Sequence, residues 1–485
     1  MRLAVILNPL GIILVALGCI MLTPIGVALL AREHTSIIPF VVACVGSVFL
    51  GLLFQWRGGF SRDFDNLKRN EGMLIVSLTW LVTGAIGGVP YLFYGLGPID
   101  AYFESISGFT TTGATILKDF SPYPKTFFFW RSLSQWLGGM GIIVLFVAIL
   151  PQFAVAGRQM FFAEAPGPTE EKVTPRITHT AKALWLVYIL LTILEVALLW
   201  MNGMPLFDAV CNSFSTMAAG GFSPHPQSIM GYQSPAATWI ITVFMFLAGS
   251  NFALHYRVLF QGKYGTLVRN EEFCFYTAIV VVMSLLLCTA LVGGDLATVE
   301  DGLRDGFFQI ASIITTTGFA SVDFALWTVP AQIILFTVML VGGCAGSAGG
   351  GVKVVRVLFG MKYLKREIAQ VVHPKAVLPI KIDRVTVPED VQRQILGFLL
   401  FYIFLMTLSA LTVGIIEGDA AVGIVGTAAT IGNIGPGYGA IGPMGSFGHL
   451  SALSKIIFIV DMVVGRLELI PFLAMLHPDF WMLRR

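Results

Sequence analysis

A chain of 485 residues that is 56% hydrophobic and only 12% charged cannot cover a soluble surface of its own size with polar groups. Its net charge of +2 gives nucleic acid nothing to bind, and its six cysteines lie in apolar segments with no CxxC pair, so they read as small buried hydrophobes rather than disulfides or metal ligands. Mean hydropathy is +0.81, and the apolar residues gather in runs of about 20, the length a helix needs to cross hydrocarbon. The fold class expected is an all-α polytopic membrane protein.

In chain order, spans are predicted at 7–31, 36–55, 73–95, 127–150, 180–201, 235–260, 273–293, 330–360, 394–416 and 452–476. An even number of spans puts both termini on one side. Of the 30 Lys and Arg, 23 fall in the two tails and in alternate loops, nine of them from Lys353 to Arg393. The positive-inside rule then predicts cytoplasmic termini. The spans sort into two extra N-terminal helices (1–70) and four units at 71–160, 161–271, 272–391 and 392–485. Each unit reads as a span, a half-apolar loop and a second span.

The four outer loops, 98–121, 206–231, 303–323 and 417–448, hold apolar stretches too short to span, followed by Gly- and Thr-rich turns. Asp100, Asp208 and Asp305 each precede a glycine by thirteen residues: Gly113, Gly221 and Gly318. A repeat in register outweighs any single motif. Asp-Ala at 100–101 and 208–209 predicts a helix N-cap and three turns of short helix. Such a helix entering from outside aims its partly negative C-terminal end at the membrane centre. The glycine lets the chain turn back, and irregular backbone at that depth must line water or be buried in protein. Carbonyls turned to a common axis can replace the hydration shell of K⁺. The expected filter is Thr111, Thr112 and Gly113; Gly220 and Gly221; Thr316, Thr317 and Gly318; and Asn433, Ile434 and Gly435. The fourth copy is degenerate. Asp419 stands sixteen residues before Gly435, whereas Gly432 keeps the spacing of thirteen. Asn433-Ile434-Gly435 is the better match to Thr-Thr-Gly.

Two features are expected below these turns. Gly342, Gly343, Gly346, Gly349, Gly350 and Gly351 crowd one segment, and each glycine inside a helix costs about 1 kcal/mol relative to alanine. Either Gly342, Gly346 and Gly350 make a helix-packing face, or the segment is a mobile loop. Arg466 lies deep in the last span, where insertion costs roughly 2.5–3.5 kcal/mol. It forms a positive pore barrier or an ion pair with Asp461 or Glu468. Glu104 adds negative potential near the first turn or bonds neighbouring backbone. His225, His255 and His373 lack metal spacing. No nucleophile–base set, Walker loop or Rossmann fingerprint is present, so no enzyme activity and no cofactor on this chain are expected beyond K⁺ held in the pore.

Ser107-Gly108-Phe109-Thr110-Thr111-Thr112-Gly113-Ala114-Thr115, Thr315-Thr316-Thr317-Gly318-Phe319 and Gly432-Asn433-Ile434-Gly435-Pro436-Gly437 resemble pore loops of the TrkH-type membrane subunits of the bacterial Trk potassium-uptake family. Phe214-Ser215-Thr216-Met217 through Gly221-Phe222-Ser223 is similar to the second loop. Trp136-Leu137-Gly138-Gly139-Met140-Gly141, Gly342-Gly343-Cys344-Ala345-Gly346-Ser347 and Gly465-Arg466-Leu467-Glu468 extend the likeness over nearly the whole chain. The family lies in the wider Trk/Ktr/HKT superfamily. The resemblance implies a pseudo-fourfold pore with one filter glycine per repeat, an intramembrane gate at 342–351 and a leak barrier at Arg466. In plant HKT relatives a serine at the first filter position goes with Na⁺ permeation, so Gly113 implies K⁺. The resemblance also implies a homodimer in the bacterial inner membrane and a cytosolic, nucleotide-binding, TrkA-like ring protein as partner. The basic segment 353–393 is the docking surface expected for it, or else ordinary positive-inside topology. A secondary transporter coupling K⁺ to H⁺ or Na⁺ is the alternative. Such carriers show inverted repeats and ionisable midplane residues, whereas here the four units run in one direction and the filter residues are uncharged.

Overall fold

The computed structural model describes residues 3–59, 69–148 and 173–467, with Met475, His477 and Pro478. Arg62, Lys68, Arg158, Lys172, Glu468 and the far part of the last predicted span lie outside the described residues. Helix dominates because it pairs each backbone amide within its own segment, which hydrocarbon demands. Among the described residues the only ladder is β1 (Lys381–Ile382) with β2 (Val385–Thr386), antiparallel, Lys381 opposite Thr386.

Helices α1 (Leu3–Ile20) and α2 (Leu22–Ala31) run as one apolar stretch, and α3 (Ile37–Arg57) returns along α1. Four units follow. The first is α4 (Arg69–Phe93), short α5 (Pro98–Phe109) and α6 (Lys125–Ala148). The second is α7 (Val173–Met201), short α8 (Leu206–Met217) and the pair α9 (Pro235–Ala248) and α10 (Phe252–Gln261). After a five-residue helix, α11 (Gly265–Arg269), the third has α12 (Glu271–Gly293), α13 (Val299–Ile314), α14 (Val329–Met339) and α15 (Val354–Val372). The fourth is α16 (Glu389–Glu417), short α17 (Ala420–Ile431) and α18 (Ala452–Arg466). The N-terminal helices lean on the first unit, where Glu33 caps α6 by accepting from the backbone N–H groups of Lys125 (2.9 Å) and Thr126 (3.0 Å).

Two predicted spans are not continuous helices. The run 235–260 bends by 101° between α9 and α10. Gly249 abuts Thr315 there, and Asn251 caps the new helix by accepting from the N–H of Ala253 at 2.9 Å. The run 330–360 is α14, a non-helical segment at 340–353, and α15. No helix exists at 342–351, so Gly342, Gly346 and Gly350 form no helix-packing face.

Polarity is inverted relative to a soluble fold. Leu30 (88% exposed), Ile415 (80%) and Leu400 (71%) face outward, while Thr110–Thr112, Thr315–Thr317 and Asn433 are wholly buried. The cysteines divide: Cys211, Cys288 and Cys344 are buried, Cys44 is half-buried, and Cys19 and Cys274 are exposed. The expectation of six buried cysteines is thereby corrected, because on a helix facing lipid the outward side needs no protein cover.

Candidate functional site

The four short helices are arranged cyclically. Each packs on the first long helix of its own unit and on the second helix of the unit before: α5 on α18, α8 on α6, α13 on α9, α17 on α14. The fourth unit thus touches the first, and the ring closes.

The turns at the helix C-termini repeat one geometry. The last helical residue precedes its glycine by four in every copy: Phe109 to Gly113, Met217 to Gly221, Ile314 to Gly318, Ile431 to Gly435. Two residues before each glycine the backbone is left-handed at Thr111 (φ 53°), Ala219 (55°), Thr316 (60°) and Asn433 (54°). The glycines are left-handed too, at 79°, 77°, 83° and 101°. The residue between does not share this conformation. The N–H of that middle residue returns to the helix in all four: Thr112 to Ser107 O, Gly220 to Ser215 O, Thr317 to Ser312 O and Ile434 to Ala429 O, at 2.8–2.9 Å.

The loops also interlock, which is where glycine is required. A Cβ on Gly113 would sit 2.1 Å from the carbonyl oxygen of Gly220, and one on Gly221 2.0 Å from that of Thr317. On Gly318 it would meet Ile434 O at 2.0 Å, and on Gly435 Thr112 O at 2.5 Å. Each glycine thus rests on the carbonyl preceding the next glycine, and the fourth returns to the first. All four glycines line one cavity of about 360 Å³, which Lys118, Arg131, His225 and His449 also border.

The register of the fourth copy is now defined. Gly432 is the right-handed C-cap of α17 (φ −77°), whereas Gly435 is the left-handed residue in the ring. The thirteen-residue Asp–Gly spacing does not mark a helix N-cap. Asp100 and Asp208 are third residues of their helices, whose N-caps are Gly97 and Pro205, and Asp305 lies inside α13, capped by Thr298. Only Asp419 is an N-cap, accepting from the N–H of Ala421 at 2.8 Å. Asp100 instead pairs with Lys455 Nζ at 2.6 Å, and Asp305 accepts from Ser321 Oγ at 2.9 Å.

The segment 340–353 packs against the third and fourth turns. Gly350 N–H donates to Thr316 Oγ1 at 2.7 Å, and a Cβ on Gly350 would stand 2.7 Å from Gly432 O. Gly342, Gly346 and Gly351 are left-handed, and Gly343 and Gly349 pack against Gly249 and Thr315. Two cations hold its carbonyls: Arg466 Nη1 donates to Ala348 O at 3.0 Å, and Lys353 Nζ donates to Gly349 O. Arg466 is 2% exposed. The nearby Asp461 carboxylate accepts from Ser409 Oγ at 2.9 Å.

Three side chains support the turns: Glu104, for which the sequence left a backbone bond open, and Arg131 and Gln135, which no local pattern marks. Glu104, wholly buried, pairs with Arg131 at 2.7 Å and accepts from the N–H of Ile116 at 2.9 Å, bracing the chain that returns from Gly113. Arg131 also lies 4.0 Å over the Phe222 ring. Gln135 bonds the second turn on both sides of Gly221. Ala219 matches Thr111 by its distance from the glycine, so the repeat register alone locates it.

Apolar helices with four cyclically packed glycine turns and a buried polar centre define a polytopic membrane protein. A family model described as TrkH, cation transport protein, matches residues 47–479. The chain belongs to this TrkH family. It is 37% identical to the Trk system potassium uptake protein TrkH of Salmonella typhimurium, covering 97% of this chain and 98% of that one. It is 36% identical to TrkH of Escherichia coli K12 (94% and 98%) and 31% identical to TrkG of that organism (95% and 95%). The crystal structure of the potassium transporter TrkH from Vibrio parahaemolyticus superposes with a TM-score of 0.91 at 36% identity, covering 99% of this chain and 100% of that chain.

Proposed function

We propose that this chain takes up K⁺ across the bacterial inner membrane, with the ion passing through the ring of four glycine turns. The observation that carries this reading is the closed interlock of Gly113, Gly221, Gly318 and Gly435 on the carbonyls of Gly220, Thr317, Ile434 and Thr112. Oriented carbonyls can replace the water around a dehydrated cation, and uncharged ones do so without trapping it. Thr111, Thr112, Thr316, Thr317, Asn433 and Ile434 complete the wall. The segment 342–351 is the gate beneath it. Arg466, tied to Ala348, adds a fixed positive charge that opposes leak until the segment moves.

Both termini face the cytoplasm in this proposal, and the basic stretch 353–393 receives a TrkA-like nucleotide-binding ring protein on a homodimeric membrane subunit. Names of relatives as Trk system potassium uptake proteins support a multi-component system. The test is reconstitution of the purified chain in K⁺-loaded liposomes with single-channel recording under a K⁺ gradient. Ohmic unitary K⁺ currents that exclude Na⁺ are expected; uptake without unitary currents would overturn the channel.

One observation favours the coupled carrier as a second reading. Glu195 is a wholly buried carboxyl inside α7, and a carboxyl at such a place is a candidate proton site. K⁺ influx that acidifies the liposome lumen in fixed ratio would support it.

A further inference from the structure

The residue before the ring glycine is anchored in three different ways across the four turns. In the first and third turns it is a threonine whose hydroxyl bonds a second threonine in the same loop: Thr112 to Thr110 and Thr317 to Thr315, each at 2.8 Å. In the fourth it is Ile434, wholly buried in an apolar cluster. In the second it is Gly220, which has no side chain with which to anchor itself.

Another helix fills that space. Gln135 of α6, in the first unit, is wholly buried. Its amide stands where a Gly220 side chain would begin, with Cδ 2.5 Å and Oε1 2.6 Å from an ideal Cβ. Nε2 donates to the Gly220 carbonyl, and Oε1 accepts from the N–H of Phe222 at 3.0 Å. One neutral amide therefore brackets Gly221 and fixes the carbonyl on which Gly113 rests. Arg131, one helical turn earlier on α6, braces the first loop through Glu104 and Thr115.

We infer that Gln135 is a positioning residue for cation selectivity: a side chain of the first unit does for the second turn what the threonines do for the first and third. A hydrogen bond to a carbonyl fixes its direction and draws on its lone pair, and the field that four carbonyls present decides between K⁺ and the smaller Na⁺. Released from the amide, the Gly220 carbonyl is free to tilt toward a smaller ion. This inference rests on the ring being the ion path.

The test uses the full chain in liposomes, measuring ⁸⁶Rb⁺ and ²²Na⁺ influx and the thermal midpoint on the same preparations. Gln135→Leu keeps the bulk and removes both bonds; its K⁺-to-Na⁺ preference should fall at least tenfold with ⁸⁶Rb⁺ influx retained. Gly220→Thr alone collides with the amide and should lose flux. Gln135→Ala combined with Ala218→Thr and Gly220→Thr rebuilds the threonine pair of the first and third turns and should recover both flux and selectivity beyond Gln135→Ala or Gly220→Thr alone. A folded Gln135→Leu with parental selectivity, or a combined variant no better than Gln135→Ala or Gly220→Thr alone, would overturn the inference. Gly318→Ser separates the two levels. If it lowers selectivity while Gln135→Leu does not, only the role of Gln135 fails. If neither changes selectivity, the ring reading fails and this inference with it.

Discussion

Replacing Gly113 by serine tests whether the ring is the selectivity element. At φ 79° any L-residue is strained, by about 1–2 kcal/mol for a left-handed backbone. The new Cβ would begin 2.1 Å from the Gly220 carbonyl oxygen, whereas non-bonded carbon contacts settle near 3.5–4.0 Å. One of the two must therefore move by more than about 1 Å, and overpacking of this kind costs typically 1–3 kcal/mol. Together these amount to roughly 2–5 kcal/mol, and each 1.4 kcal/mol is a factor of ten. Because the displaced atom is a ring carbonyl, part of that energy appears as lost discrimination, so Gly113→Ser should reduce the K⁺ over Na⁺ preference at least tenfold. The assay is the reversal potential under opposed K⁺ and Na⁺ gradients, with Gly26→Ala as control because a Cβ there meets nothing within 4 Å. A Gly113→Ser protein with parental thermal midpoint and parental selectivity would refute the reasoning.

Deleting several residues from 342–351 should raise basal K⁺ flux in the absence of any partner protein; unchanged flux from a folded variant would remove the gate. Arg466→Ala deletes a buried charge and its bond to Ala348 O, so K⁺ conductance should rise, while Arg466→Lys should stay near the parent. A lowered thermal midpoint with no gain in flux per folded protein would make Arg466 a scaffold residue. Glu104→Gln leaves the buried Arg131 guanidinium uncompensated, which costs about 3–5 kcal/mol. The thermal midpoint should drop and recover in part in Glu104→Gln with Arg131→Met, and an unchanged midpoint in the single variant would show that the pair carries no stability.

Membrane class, the short helices and the glycine turns were legible in the sequence because each depends on local chemistry. Apolar runs near spanning length make helices in hydrocarbon wherever they fall, and a repeat compares the chain with itself. The spacing misled only where it was attributed to capping. The helices align at their C-termini, where the turn is built: Asp100 and Asp208 are each the third residue of a 12-residue helix, whereas Asp305 lies inside a 16-residue helix that starts earlier, and none of the three is the N-cap.

What the tertiary structure decided is everything that depends on which strangers meet. Glu104 and Arg131 are 27 residues apart, Gln135 and Gly220 85, and Asn433 reaches Thr112 across 321. No local pattern encodes such pairs. Likewise, the glycine density at 342–351 left helix face and loop open, and packing of that segment against Gly249, Thr316 and Arg466 favoured the loop. Helices are specified by interactions within one segment, whereas a ring is specified by surfaces four segments present to one another.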